Sequence, residues 1–244
     1  MKEFTRAQII AAFAVMVAMQ ESLNKMVVEN WDEQGFTWHR AIWVEIGEWM
    51  EQVGWKWWKK QKPDAEQAKL EVVDIFHFVL SWCIENGREG QLMELLLGWI
   101  ANDIFQGDLD KPFVEGSTKT PKMQLLAHTE HIVSELTKTR GGDDSYARDN
   151  LLPLPELIEW MALQISVEEL YLQYVAKNTL NRFRQDNGYK EGTYKKIIDG
   201  VEDNVALAEI VKGIDFDKHE VGSVPLVIRA GLSAWYFSSQ RQPV

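Results

Sequence analysis

The chain has 244 residues, 45% of them hydrophobic, with 26 Lys+Arg against 37 Asp+Glu for a formal net charge of -11, enough apolar material for a core in one large domain or two small ones. Its one cysteine, Cys83, excludes an intrachain disulfide framework and a cysteine-based zinc cluster. The acidic balance excludes a general nucleic-acid coat, which needs a basic face to release counterions.

The first apolar run, Ile9 to Met19, follows Lys2 and Arg6. It is shorter than the ~20 residues a bilayer requires. Glu3 dilutes the basic end of a secretory leader and no small-x-small cleavage site follows, so a cytoplasmic chain with no membrane contact is expected. The pattern runs on into QESLNKMVV, which predicts a first helix over 5–29. A second is predicted over 38–53, capped by Thr37. A third starts near Asp64, where Asp64 and Gln67 make a variant capping box, and runs to Glu85 before Asn86-Gly87 ends it. Further helices are predicted at 89–105, 121–139, 153–184 and 203–212. The polar stretches QGDLDKP and RGGDDSYARDN read as surface loops. No Asn-Gly or Asp-Gly two-residue turn joins alternating apolar runs, so no hairpin is expected. The expected fold is all-α, a helical bundle with short antiparallel connections in its first half.

Tryptophan is over-represented, with 11 in the chain and seven of them between Trp31 and Trp58. They surround two acidic pairs. Glu45 and Glu48 share a face of the second helix and Glu71 and Asp74 a face of the third, because each pair is three apart. Such pairs usually lie on a solvated face. The third helix, however, is apolar almost all round, with Val72, Val73, Ile75, Phe76, Phe78, Val79, Leu80 and Trp82, which marks it as buried. Its polar exceptions, Glu71, Asp74, His77 and Ser81, form one stripe. A buried unpaired carboxylate costs several kcal/mol, so something cationic must meet this stripe. Oxygen-only ligation points to Mg²⁺, with Mn²⁺ as substitute, and Mg²⁺ favours a site shared with substrate phosphates. Trp43 and Trp49 are expected to pack against the third helix and hold the two carboxylate pairs in register.

Residues 177–196, KNTLNRFRQDNGYKEGTYKK, hold six basic residues against Asp186 and Glu191. Lys177, Asn178, Asn181 and Arg184 have helical spacing. The following Gly-Tyr-Lys-x-Gly-x-Tyr segment reads as a flexible, donor-rich loop suited to closing over a polyphosphate. No Walker loop is present.

Glu45-x-x-Glu48, 22 residues, then Glu71-x-x-Asp74 resembles the signature of the all-α nucleoside triphosphate pyrophosphatases, which include dimeric dUTPases and the dCTP and MazG-type hydrolases. QESLN at 20–24, WKWWK at 55–59, and KNTLNRFRQDNGYKEGTYKK followed by Glu202-Asp203-Asn204 narrow the resemblance to the dimeric dUTPases. It covers about 16–86 and 160–212. The expected organisation is one nucleotide pyrophosphatase domain over 1–212, with a metal core at 38–86 and a phosphate-binding arm at 177–204. Residues 213–244 form an extension of unknown fold.

The resemblance implies hydrolysis of dUTP, and of dUDP, to dUMP, with pyrophosphate as the other product of dUTP. It also implies a homodimer. Glu45, Glu48, Glu71 and Asp74 would hold two or three Mg²⁺ ions, with Glu48 taking the proton of the attacking water. Gln20, Asn24, Trp55 and Trp58 would form the base pocket, and His77 or Asn178 would meet the deoxyribose. Lys56, Lys59, Lys177, Arg184, Tyr189 and Lys190 would bind phosphates, and Asn102 is a further metal-linked candidate. Rotating the Gln20 and Asn24 amides would suit cytosine as well as uracil, so dCTP or dual dCTP/dUTP hydrolysis stands as the alternative. So does a helical regulatory binding protein on the same fold. A stand-alone enzyme with unusual inserts suits a phage, acting in the host cytoplasm.

Overall fold

A computed structural model describes residues 3–99, 120–138 and 154–238. Among the described residues the regular elements are helices apart from one two-stranded sheet, so the expected all-α class holds. The chain divides into two compact units, one of residues 24–170 and the other of residues 1–23 with 171–244. Helix α1, Arg6–Val27, begins in the latter and ends in the former. By length and composition α1 could also cross a membrane, a test that soluble core helices and leaders pass too.

In the unit of residues 24–170, α2 (Trp38–Gln52) and α3 (Ala65–Glu85) make the most extensive helix pair among the described residues. On α2, Ile42, Ile46, Trp49 and the following Val53 recur at helical spacing, and none is more than 1% exposed. That one-sided stripe is what an amphipathic helix buries. On α3 the apolar residues face all round, with Val72, Val73, Ile75, Phe76, Val79, Leu80 and Cys83 fully buried. Asp64 caps α3 by accepting the Gln67 amide at 3.0 Å, as predicted, while the Gln67 side chain turns to Glu71 and leaves half the capping box unused. The helix ends at Gly87 with φ +62°. There the Arg88 amide donates to the Cys83 carbonyl at 2.8 Å, satisfying an end carbonyl as helix C-caps do. Thr37 sits at the α2 N-cap but makes no side-chain capping bond.

The described residues of this unit also form α4 (Glu89–Leu97), α5 (Pro121–Leu136) and α6 (Leu154–Ala162). The expected single helix over 153–184 is two, α6 and α7 (Val167–Asp186). Ser166 starts the second by accepting the Glu169 amide at 3.1 Å. This Ser-x-x-Glu signal was hidden by the continuous apolar pattern. Lys69 on α3, nearly buried, pairs with Glu169 at 2.9 Å.

Trp49 and Trp43 differ in their surroundings. The Trp49 indole meets Trp160 of α6 edge to face at 5.1 Å, and its N–H donates to Gln164 at 2.6 Å. The Trp160 N–H donates in turn to Thr129 of α5 at 2.8 Å. Trp49 therefore ties α2 to α5 and α6 through satisfied polar tips. Trp43 is 40% exposed.

In the other unit, α7 leads into a turn and a two-stranded hairpin, Ile197–Ile198 (β1) and Val201–Glu202 (β2). Asp199 (φ +49°) and Gly200 (φ +79°) form its turn, the Asp-Gly pair with two positive φ values that tight hairpins prefer. The expectation of no hairpin is thus corrected; the strands are only two residues long and carry no alternation. Helix α8 (Asp203–Lys212) follows. The extension of unknown fold contributes α9, Val224–Tyr236. Gly231 lets α9 approach α8 closely, since a Cβ there would lie 2.9 Å from Ile210.

Candidate metal centre and basic arm

Helices α2 and α3 bring three carboxylates together. One oxygen each from Glu45, Glu71 and Asp74 lies within 4.8 Å of the others. Glu71 is buried, and Glu45 and Asp74 are half-buried. Three like charges this close in a partly desolvated place repel strongly. A hard cation removes the penalty, and carboxylate oxygens are the donors that Mg²⁺, Mn²⁺ and Ca²⁺ take. This cluster could hold a metal ion. Gln67 donates to Glu71 Oε1 at 2.8 Å and so orients that carboxylate, the second-sphere support that metal ligands commonly have. Glu48, one turn beyond Glu45, is exposed and is not one of the three. Asn102 lies outside the described residues.

The polar stripe of α3 continues past the carboxylates to His77 and Ser81, 8% and 1% exposed. Ser81 Oγ donates to the His77 carbonyl at 2.9 Å and accepts from Asn24 Nδ2 at 3.0 Å. In this arrangement the hydroxyl gives its proton to a carbonyl and the amide nitrogen of Asn24 donates to the hydroxyl. Ser81 is the residue that sequence reasoning left in the stripe without a role. Its signal was its place four residues after His77.

In WKWWK, the Trp55 and Trp58 rings meet edge to face at 5.2 Å. Trp55 is half-buried, and its indole nitrogen is buried with no hydrogen-bond partner among the described residues. Trp58 is 56% exposed. Lys56 pairs with Glu51, and Lys59 is exposed.

The remaining candidates lie in the unit of residues 1–23 and 171–244. Gln20 is buried and accepts from the Tyr174 hydroxyl at 2.6 Å. Burial raises the Tyr174 pKa well above its ordinary value, although a hydrogen bond with Asn178 works the other way; the hydroxyl therefore stays protonated. Asn178 is 1% exposed. Lys177 is half-buried, while Tyr189 and Lys190 are exposed.

Arg184 is not a loose cation. Its Nε and Nη2 donate to the two carboxylate oxygens of Asp203 at 2.8 and 2.9 Å, a bidentate pair. The Tyr194 hydroxyl donates to the same carboxylate at 3.1 Å. Asp203 is fully buried. Desolvation pushes its pKa up, but the Arg184 guanidinium outweighs this and holds it below the ordinary carboxylate range. The loop expected to be flexible is folded on itself. Gly188 (φ +89°) accepts the Thr193 and Tyr194 amides at 2.9 and 3.2 Å. A Cβ at Gly188 would collide with the Thr193 hydroxyl at 2.0 Å.

A family model described as dUTPase matches residues 12–189, a span holding all four carboxylates and every residue of the proposed base, sugar and phosphate sets except Lys190. No curated protein matches the chain.

Proposed function

The chain belongs to the dimeric all-α dUTPase family, and on that premise we propose that it catalyses Mg²⁺-dependent hydrolysis of dUTP and dUDP to dUMP. The observation that carries this reading is the gathering of Glu45, Glu71 and Asp74 within 4.8 Å. In both substrates the bond cleaved is the bridge between the α- and β-phosphates, so one site serves both. The leaving group is pyrophosphate from dUTP and phosphate from dUDP.

Glu45, Glu71 and Asp74 would hold Mg²⁺, with Gln67 orienting the Glu71 carboxylate; the ion would supply neutralisation of the polyphosphate, a more acidic water and stabilisation of the leaving charge. Glu48, exposed to solvent beside them in sequence, accepts the proton of the attacking water as general base. Lys56 and Lys59 in one unit, and Lys177, Arg184, Tyr189 and Lys190 in the other, are the residues assigned to phosphate contacts.

Uracil is favoured over cytosine by the Asn24–Ser81–His77 chain. Because Nδ2 of Asn24 is committed to Ser81, the opposite end of the amide is an acceptor. Uracil offers N3–H to such an end; cytosine N3 is itself an acceptor and opposes it. From Asp74 to Ser81 the helix rises about 10 Å, in keeping with a nucleotide lying along the stripe from phosphate to base. Trp55 and Trp58 supply the aromatic wall. A homodimer acting in the cytoplasm, in a host cell for a phage enzyme, completes the reading.

The test is release of dUMP and pyrophosphate from dUTP with and without Mg²⁺, beside dCTP, dTTP and UTP. Absence of turnover with every nucleotide would replace this reading by that of a helical binding protein. A rate for dCTP at or above that for dUTP would overturn the choice of base. The assignment of Glu48 is separate: Glu48→Gln should bind nucleotide with Mg²⁺ yet lose turnover. If turnover stays within a few-fold of wild type, Glu48 is not the base.

A further inference from the structure

The chain beyond residue 189 lies outside the family match, yet its last described helix, α9, is built onto the basic arm. Five contacts converge there. The Tyr236 ring stacks on Tyr194 with parallel planes at 5.1 Å and meets Phe183 of α7 edge to face at 5.4 Å. The Tyr236 hydroxyl accepts the Lys195 amide at 3.1 Å. Arg229 of α9 donates to Asp186 at 2.9 Å and lies over the Phe183 ring at 5.9 Å. Phe183 and Asp186 close α7, and Tyr194 and Lys195 close the Gly188–Tyr194 loop, so α9 holds both ends of the segment that presents Tyr189 and Lys190.

Tyr194 has a second anchor, since its hydroxyl donates to Asp203, the carboxylate that Arg184 grips on both oxygens. The loop is thus fixed from α8 below Tyr194 and from α9 through the stacked ring. Two positive-φ glycines, Gly188 and Gly192, would otherwise leave a donor-rich loop conformationally open. Ordering it in advance lowers the entropy lost when it takes up a polyanion.

We propose that α9 is a clasp, and Tyr236 a positioning residue, that pre-orders the Gly188–Tyr194 loop for the β- and γ-phosphates of the substrate. The proposal rests on the assignment of Tyr189 and Lys190 to phosphate binding made above. Tyr236 touches no substrate; it acts through Tyr194 and the Lys195 amide.

The variants are Tyr236→Leu, which keeps apolar volume without the ring, and Tyr236→Phe, which keeps the ring without the hydroxyl. Leu226→Ser, at an α9 residue 70% exposed, is the control. Each is read as KM and kcat for dUTP, as inhibition by dUMP, and as amide hydrogen exchange across 188–196. Tyr236→Leu should raise KM for dUTP roughly tenfold, the scale of a lost aromatic pair plus a lost hydrogen bond. Its kcat and its affinity for dUMP, which has no β- or γ-phosphate, should stay within twofold. Tyr236→Phe should restore most of KM, and Leu226→Ser should match wild type. Exchange at 188–196 should accelerate in the order Leu, Phe, wild type. An unchanged KM with unchanged exchange in Tyr236→Leu overturns the clasp. Equal losses for dUTP and dUMP overturn its phosphate role. Should Tyr236→Leu fail to fold, Arg229→Gln decides by the same exchange, with no acceleration counting against the clasp. If wild type turns over no nucleotide, the functional reading fails while the exchange measurement still judges the clasp.

Discussion

Asp203→Asn isolates the strongest electrostatic feature of the arm. The wild-type carboxylate is fully buried and accepts from Arg184 Nε at 2.8 Å, Arg184 Nη2 at 2.9 Å and the Tyr194 hydroxyl at 3.1 Å, with the Asn204 backbone as a further donor. Asparagine keeps the shape but turns an N–H towards at least one of these donors and leaves the Arg184 charge without its partner. Removing one member of a buried pair costs about 3–5 kcal/mol. The Arg184 side chain retains 15% exposure, so water relieves part of the loss and about 3 kcal/mol is expected. At about 2–4 °C per kcal/mol for a chain of this size, the midpoint of thermal unfolding should fall by about 6–12 °C. The pH dependence has a definite sign. The Asp203 pKa is depressed in the folded state below its ordinary value of 3.8. Its contribution is therefore complete above the unfolded value and is lost as pH falls through the folded one. The gap between wild type and Asp203→Asn should hold constant from about pH 5 upward and close only at lower pH. Urea titrations followed by circular dichroism at several pH values measure this. A loss below about 1 kcal/mol at neutral pH, the worth of an exposed pair, would refute the reasoning.

Asp64→Ala removes the α3 cap and should cost about 1 kcal/mol in the same titration. Ser81→Ala removes the acceptor that fixes the Asn24 amide, so the preference for dUTP over dCTP should fall roughly tenfold, read as the ratio of kcat/KM values. Glu71→Gln keeps the shape of the cluster and removes a charge; Mg²⁺ affinity, measured by calorimetry, should fall at least tenfold.

The metal cluster was legible because it rests on local rules. Helical spacing puts Glu71, Asp74, His77 and Ser81 on one face, and the apolar remainder of α3 shows that this face is inside. What stayed hidden depends on contacts distant in sequence. Nothing near Arg184 announces that Asp203 will claim it, because the partner lies across a loop and a hairpin. Nothing in Trp49 or Trp43 says that one will find Trp160 and Gln164 while the other faces water, since both flank the acidic pair at similar spacing. Two local signals were overlooked for a different reason. Ser166 with Glu169, and Asp199 with Gly200, are ordinary start and turn markers, but each sits inside a stretch whose longer pattern argued the other way. α9 has a proline in its first turn and an apolar stripe of Val224, Ile228, Leu232 and Tyr236. Its role could not be read from those residues, because it lies in Tyr194 and Phe183.

The most direct test of the account is the initial rate of pyrophosphate release from dUTP by the wild-type protein as Mg²⁺ is titrated from zero, with dCTP run in parallel. The account predicts a rate that rises from background with Mg²⁺, saturates, and exceeds that for dCTP. A rate that stays at background at every Mg²⁺ concentration would contradict it.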